Sequence, residues 1–150
     1  MIKLLIADHH PIIRKGLELL FSASSNIQIV ASLDDGEAII DFVKKNPVDI
    51  ILTEIDLPKL NGLTVLRILK NDFPDIKTII FSGQPEEVYA INSIKAGASG
   101  YISKASSIKR DAQAAQLAGE NKLWNIFRST IWCWIRWLFI FCSGIGSLNT

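Results

Sequence analysis

Five short apolar runs, each followed by a longer stretch with helical spacing or a tight turn, constrain this chain more than any other feature. KLLIAD (3–8) predicts a strand with no polar face. Behind it PIIRKGLELLFSA (11–23) sets Ile12, Ile13, Leu17, Leu20 and Phe21 at helical spacing, with Pro11 in the first turn, where its missing N–H costs nothing. NIQIVAS is the second strand, and 35–46 a helix with Ala38, Ile39, Phe42 and Val43 on one side. VDIILTE is the third strand, 61–72 a helix, 78–83 a strand, 86–97 a helix ending at glycine, and 99–104 a last short strand. Strands this uniformly apolar, separated by helices, predict an α/β fold: a parallel sheet covered on both faces.

In an open, doubly wound sheet, sites form beyond the carboxyl ends of the strands, where strand order reverses. The residues at those ends are Asp8, His9 and His10 after the first strand and Glu54 and Asp56 at the third. Ser82 and Gly83 end the fourth, and Lys104 the fifth. Clustered carboxylates beside a lysine suit a hard divalent cation, Mg²⁺, and a phosphoryl group. The acids offer oxygen ligands, metal and lysine neutralise phosphoryl oxygens, and a hydroxyl hydrogen-bonds the product.

At IADHHPIIRKGL, DIILTEIDLPKLNG, IIFSG and KAGASGYISK the sequence resembles the receiver domain of bacterial two-component response regulators, most closely the subfamily with a LuxR-type helix-turn-helix output domain. The resemblance covers roughly residues 1–105. It implies a flavodoxin-like sheet of order 2-1-3-4-5, switched by aspartyl phosphorylation from a sensor histidine kinase. By the same resemblance Asp8 is a pocket acid, Glu54 stands at the phosphoacceptor position, and Asp56 lends its backbone carbonyl to the metal. Ser82 is the switch hydroxyl, Tyr101 the switch aromatic, and Lys104 the phosphate-binding lysine.

Two residues depart from the pattern. The family's acceptor is an aspartate four residues before the proline, and counting back from Pro58 gives Glu54. A nucleophile must sit in line at near-attack distance, and about an ångström of misplacement can cost on the order of a hundredfold in rate. Glu54 is therefore expected to accept phosphate poorly and to project further into the pocket, imitating part of the phosphorylated state. If it meets Lys104 or a protonated His9, the pocket closes as an ion pair without metal. The family's second pocket acid falls on His9, and a histidine is a poor ligand for Mg²⁺, so metal binding is expected to be weakened.

Blander readings stand beside these. His10, before Pro11, is expected to be an N-terminal helix residue. His9 is either a simple substitution or a pH-sensitive partner of Glu54. Asp34 and Asp35 read as helix capping and first-turn charge. Ser82 could be a plain strand-end hydroxyl, and Tyr101 divides between core packing and gating.

Charge separates the chain into two compositions. Residues 1–105 hold 11 basic and 13 acidic side chains, whereas 106–150 hold 5 and 2. The receiver is expected over 1–120 and an apolar, tryptophan-rich tail over 121–150. SSIKRDAQAAQLAG supplies a fifth helix whose apolar face is mostly alanine, so it would bury little. LWNIFRSTIWCWIRWLFIFCSGIGSLNT holds all four tryptophans, both cysteines and no acid. No capped helix pair with a basic recognition face is visible there, so direct nucleic-acid binding by this chain is not expected. Three readings of it compete: a membrane segment, short for a span and carrying Arg136 near its middle; an interfacial or partner-binding helix; or a reading frame that leaves the ancestral one near residue 106.

With no secretory signal and no cysteine framework, a reducing cytoplasm is the expected compartment. The functional expectation is a signalling switch rather than a turnover enzyme, with homodimerisation a possible assembly. The competing class is a non-signalling interaction module with a vestigial pocket and a self-associating or membrane-surface tail.

Overall fold

The computed structural model describes residues 1–104. The fifth helix expected over 106–119, the boundary at 120 and the tail from 121 lie outside the described residues. Nine elements alternate: β1 (Ile2–Ala7), α1 (Pro11–Ser22), β2 (Ile27–Leu33), α2 (Gly36–Val43), β3 (Ile50–Thr53), α3 (Gly62–Asp72), β4 (Lys77–Ser82), α4 (Glu86–Lys95) and β5 (Gly100–Ser103). The five strands form one sheet in the order β2-β1-β3-β4-β5, all neighbours parallel. This is the doubly wound, flavodoxin-like order expected above.

Continuous apolar runs become central strands because both of their faces are covered. In β1, Leu5, Ile6 and Ala7 are all buried. Leu5 and Ala7 join Ile51 of β3, Ile39 and Val43 of α2, and Val65 and Leu69 of α3 in one apolar cluster. Side chains alternate along a strand, so Leu4 and Ile6 face the opposite layer, where α1 turns Leu17 and Phe21 inward. A second cluster joins Ile55, Leu66, Ile80, Ala98 and Tyr101 beside β4 and β5. Burying each of these large side chains contributes roughly 1.5–3 kcal/mol. Edge strand β2 is only partly covered along its length.

Helix α2 stops at Val43 rather than at residue 46. Its last turn tightens, with the Lys45 amide donating to the Phe42 carbonyl three residues back at 3.1 Å and the Asn46 side chain donating to the same carbonyl, and Pro47 disfavours helical geometry in the residue before it. Its start follows from Asp35, whose carboxylate accepts from the Ala38 amide at 2.8 Å. The loop after β3 closes through Gly62, whose amide donates to the Ile55 carbonyl at 2.8 Å; a Cβ there would collide with the Glu54 carbonyl oxygen. That turn fixes the backbone on which Glu54 sits. Among the described residues, no helix is long and apolar enough to cross a membrane.

Candidate functional site

Strand register brings the site together. Ala7 and Thr53, the last residues of β1 and β3, are partners across the sheet, so Asp8 and Glu54 leave it side by side. The Glu54 amide donates to the Ala7 carbonyl at 2.9 Å, which carries the pairing one residue further. Ser82 and Ser103 are partners at the ends of β4 and β5, and Lys104 follows directly. Residues separated by up to 96 positions in sequence thus meet at one end of the sheet.

Asp8, Glu54, Ser82 and Lys104 are all buried. The Lys104 ammonium lies 2.5 Å from Asp8 Oδ2 and 2.6 Å from Glu54 Oε2, bridging the two carboxylates. It also stands 5.4 Å from the centre of the Phe81 ring. Glu54 Oε1 accepts from the Ile55 amide at 2.6 Å and from the Ser82 hydroxyl, while Oε2 lies 3.4 Å from the Gly83 amide. The side chain curls back onto the amide of the next residue and still spans the pocket to Ser82 and Lys104. Asp8 Oδ1 accepts from the His10 amide at 2.8 Å and faces His10 Nδ1 at 2.9 Å.

From Ser82 a chain of bonds runs outward. The Gln84 amide donates to Ser82 Oγ at 3.2 Å, and the Tyr101 hydroxyl donates to the Gln84 carbonyl at 2.8 Å. The Gln84 side chain reaches Asp56 Oδ2 at 2.5 Å. Tyr101 is buried in the second apolar cluster with its hydroxyl at this loop, so core packing and contact with the loop coexist in one side chain. Burial pushes its phenol above the ordinary tyrosine value, with the Ser82 hydroxyl acting the other way. Gln84 was not legible as a site residue: no motif marks it, and it matters only through the loop that Ser82 begins.

His10 stands at the start of α1, as expected of an N-terminal helix residue, and its ring also joins the pocket. It is the N-cap of α1, with no side-chain capping bond, and turns its ring toward Asp8 instead. His9 Nδ1 is buried with no hydrogen-bond partner, a situation that costs about 1–3 kcal/mol. Its ring lies 3.7 Å from that of His10, centre to centre.

The donor set does not fit Mg²⁺ in this arrangement. That ion demands oxygen ligands in near-ideal octahedral geometry. Here each oxygen of Asp8 and Glu54 already faces a protein donor, and an ammonium lies between the carboxylates. Asp56 is exposed and its side chain engages Gln84. Among the described residues, the potential metal ligands that cluster are Asp8, His9 and His10.

Residues 4–116 match the response regulator receiver domain. Fimbriae Z protein of Escherichia coli K12 is 41% identical over 100 residues, which cover 67% of this chain and 48% of that protein. The chain thus spans about half the length of the curated relatives it matches. Among solved structures, the signal receiver domain of NarL from Mycobacterium tuberculosis superposes with a TM-score of 0.68 at 20% identity, covering 89% of this chain and 95% of that one. A LuxR-family two-component response regulator from Aurantimonas sp. SI85-9A1 gives 0.65 at 23% identity, covering 75% and 82%. Both share the fold. On the match across most of its length, the chain belongs to the response regulator receiver domain family.

Proposed function

We propose that this receiver domain of a two-component system is set by Glu54 rather than by a transferred phosphoryl group. The observation that carries the reading is the set of partners Glu54 holds. Its carboxylate engages the Ser82 hydroxyl and the Lys104 ammonium, with the Gly83 amide at 3.4 Å. A hydroxyl, a lysine and a backbone amide at the ends of neighbouring strands are the donors a phosphoryl group on this position would need. With Ser82 drawn to the pocket and Tyr101 bonded beneath the same loop, the β4–α4 segment is tied to the state of the acid.

Imitation of phosphate is partial, because a carboxylate has one charge and two oxygens where a phosphate brings roughly two charges and three oxygens. Glu54 is also a poor acceptor, since both of its oxygens are engaged and its reach displaces it from in-line geometry. The reading is thus a switch that signals without phosphorylation, in the cytoplasm, within a family whose input is a sensor histidine kinase and whose output regulates transcription. Homodimerisation through α4 and β5 would carry that output.

Intact mass after incubation with Mg²⁺ and a small phosphodonor tests it, with Glu54→Asp in parallel. The expected result is no adduct on the unaltered protein and an adduct on Glu54→Asp. An adduct that maps to Glu54 overturns the reading and restores ordinary phosphotransfer. No adduct on either assigns the block to His9 and the loss of the metal.

A further inference from the structure

We propose that Asp8, His9 and His10 form a binding site for a divalent ion of the imidazole-preferring kind, Zn²⁺ above all, in place of Mg²⁺. One ligand atom from each of the three lies within 4.8 Å of the other two. Two imidazoles and a carboxylate are a donor set suited to zinc, nickel or copper, and three protein ligands leave a position open for water.

Three observations point to a ligand rather than to a simple cluster. His9 Nδ1 is buried with no hydrogen-bond partner. The His9 and His10 rings lie against each other at 3.7 Å, tilted by 41°, and one nitrogen of each lies within 4.8 Å of the other. His10 Nδ1 and Asp8 Oδ1 are 2.9 Å apart, somewhat inside the separation of about 3.3 Å between neighbouring ligands of a tetrahedral zinc with bonds near 2.05 Å. The His10 side chain is half exposed, so it can rotate to open that gap, and it gives the ion a route from solvent.

Donor type, not charge, selects the kind of ion. Lys104 sits on Asp8 Oδ2, and the Arg14 guanidinium donates to the Asp8 carbonyl at 2.6 Å. Both repel any divalent ion alike, so the choice rests on the donors: two imidazoles bind zinc, nickel or copper where they serve Mg²⁺ poorly, and from Asp8 the ion needs only Oδ1, whose second lone pair keeps the His10 amide, so the Lys104 pair stays in place. Glu54, on the far side of Lys104, keeps the second carboxylate in the pocket.

The test is zinc competition against a chromophoric chelator, with the full chain carrying Cys133→Ser and Cys142→Ser so that thiolates cannot contribute. One equivalent is expected to bind, insensitive to millimolar-range Mg²⁺. His9→Gln and His10→Gln should each weaken binding by at least about tenfold, the lower bound set by losses of mere supporting groups. His10 is half exposed, so His10→Gln stays folded and readable even if changes nearer the core do not. His9→Asp should shift preference toward Mg²⁺. No binding, or binding that His9→Gln and His10→Gln leave unchanged, overturns the proposal.

Discussion

The Lys104 ammonium lies 2.6 Å from Glu54 Oε2 and 2.5 Å from Asp8 Oδ2, so one buried cation neutralises two buried carboxylates. The lysine at the end of β5 is thereby committed within the fold itself. Removing it leaves both acids uncompensated in a site where each is almost wholly covered. Lys104→Met should therefore destabilise the protein by about 3–5 kcal/mol, read as the midpoint of urea unfolding. Adding Glu54→Gln to Lys104→Met should recover part of that loss. A double variant no more stable than Lys104→Met alone would show that the two groups do not compensate each other.

Ser82 links the acid to the loop that follows. Its hydroxyl donates to Glu54 and accepts from the Gln84 amide. Ser82→Ala removes both bonds and leaves a buried carboxylate oxygen with one donor fewer. A loss of about 1.5–3 kcal/mol is expected for a bond to a charged group. Hydrogen exchange at the Gln84 amide should accelerate by more than it does at core amides such as Ile80. Equal acceleration at both would mean the loop is held by something other than Ser82.

How much of this was readable in the sequence follows from physical range. The strands were legible because burial on both faces removes polar residues from whole runs, as in Leu4 to Ala7 and Ile50 to Leu52. Asp8, Glu54 and Lys104 were legible because each directly follows such a run, and Ser82 because it ends one. Their connections were not. The partners of Glu54 are set by register and by how its side chain folds back on the Ile55 amide, neither of which leaves a local pattern. His10 reads as an N-terminal helix residue because it precedes Pro11, and it is the N-cap of α1. Its ring turns to Asp8 because a residue at the N-cap, outside the helix, is free to do so. Gln84 carries no motif at all.

Tyr101 gives a pH signature. Burial favours the neutral phenol, so its value in the folded protein lies above the unfolded one of about 10. The folded state holds that proton longer. This contribution to stability is therefore present below about pH 10 and is lost as pH rises through the folded value. Phenolate absorbance should show one tyrosine titrating late, and Tyr101→Phe should remove that step. Loss of its bond to the Gln84 carbonyl should cost about 1 kcal/mol in the same variant. A late step that survives Tyr101→Phe would assign it to Tyr89 instead.

Asp35 both caps α2 and pairs with Lys59, with bonds of 2.8 Å to the Ala38 amide and to the Lys59 ammonium. The lysine and then the helix amide hold its carboxyl below the ordinary range. A depressed acid stabilises the fold above its unfolded value, about 3.9, and that contribution is lost as pH falls through the folded value. Asp35→Ala should cost about 1 kcal/mol at neutral pH, the usual loss of a cap. Asp35→Asn keeps an acceptor for Ala38 and gives up only the half-exposed ion pair, so it should cost much less. The gap between wild type and Asp35→Asn should close on acidification, measured by thermal unfolding at several pH values. A gap that stays constant down to strongly acid pH would mean the carboxylate's charge contributes nothing.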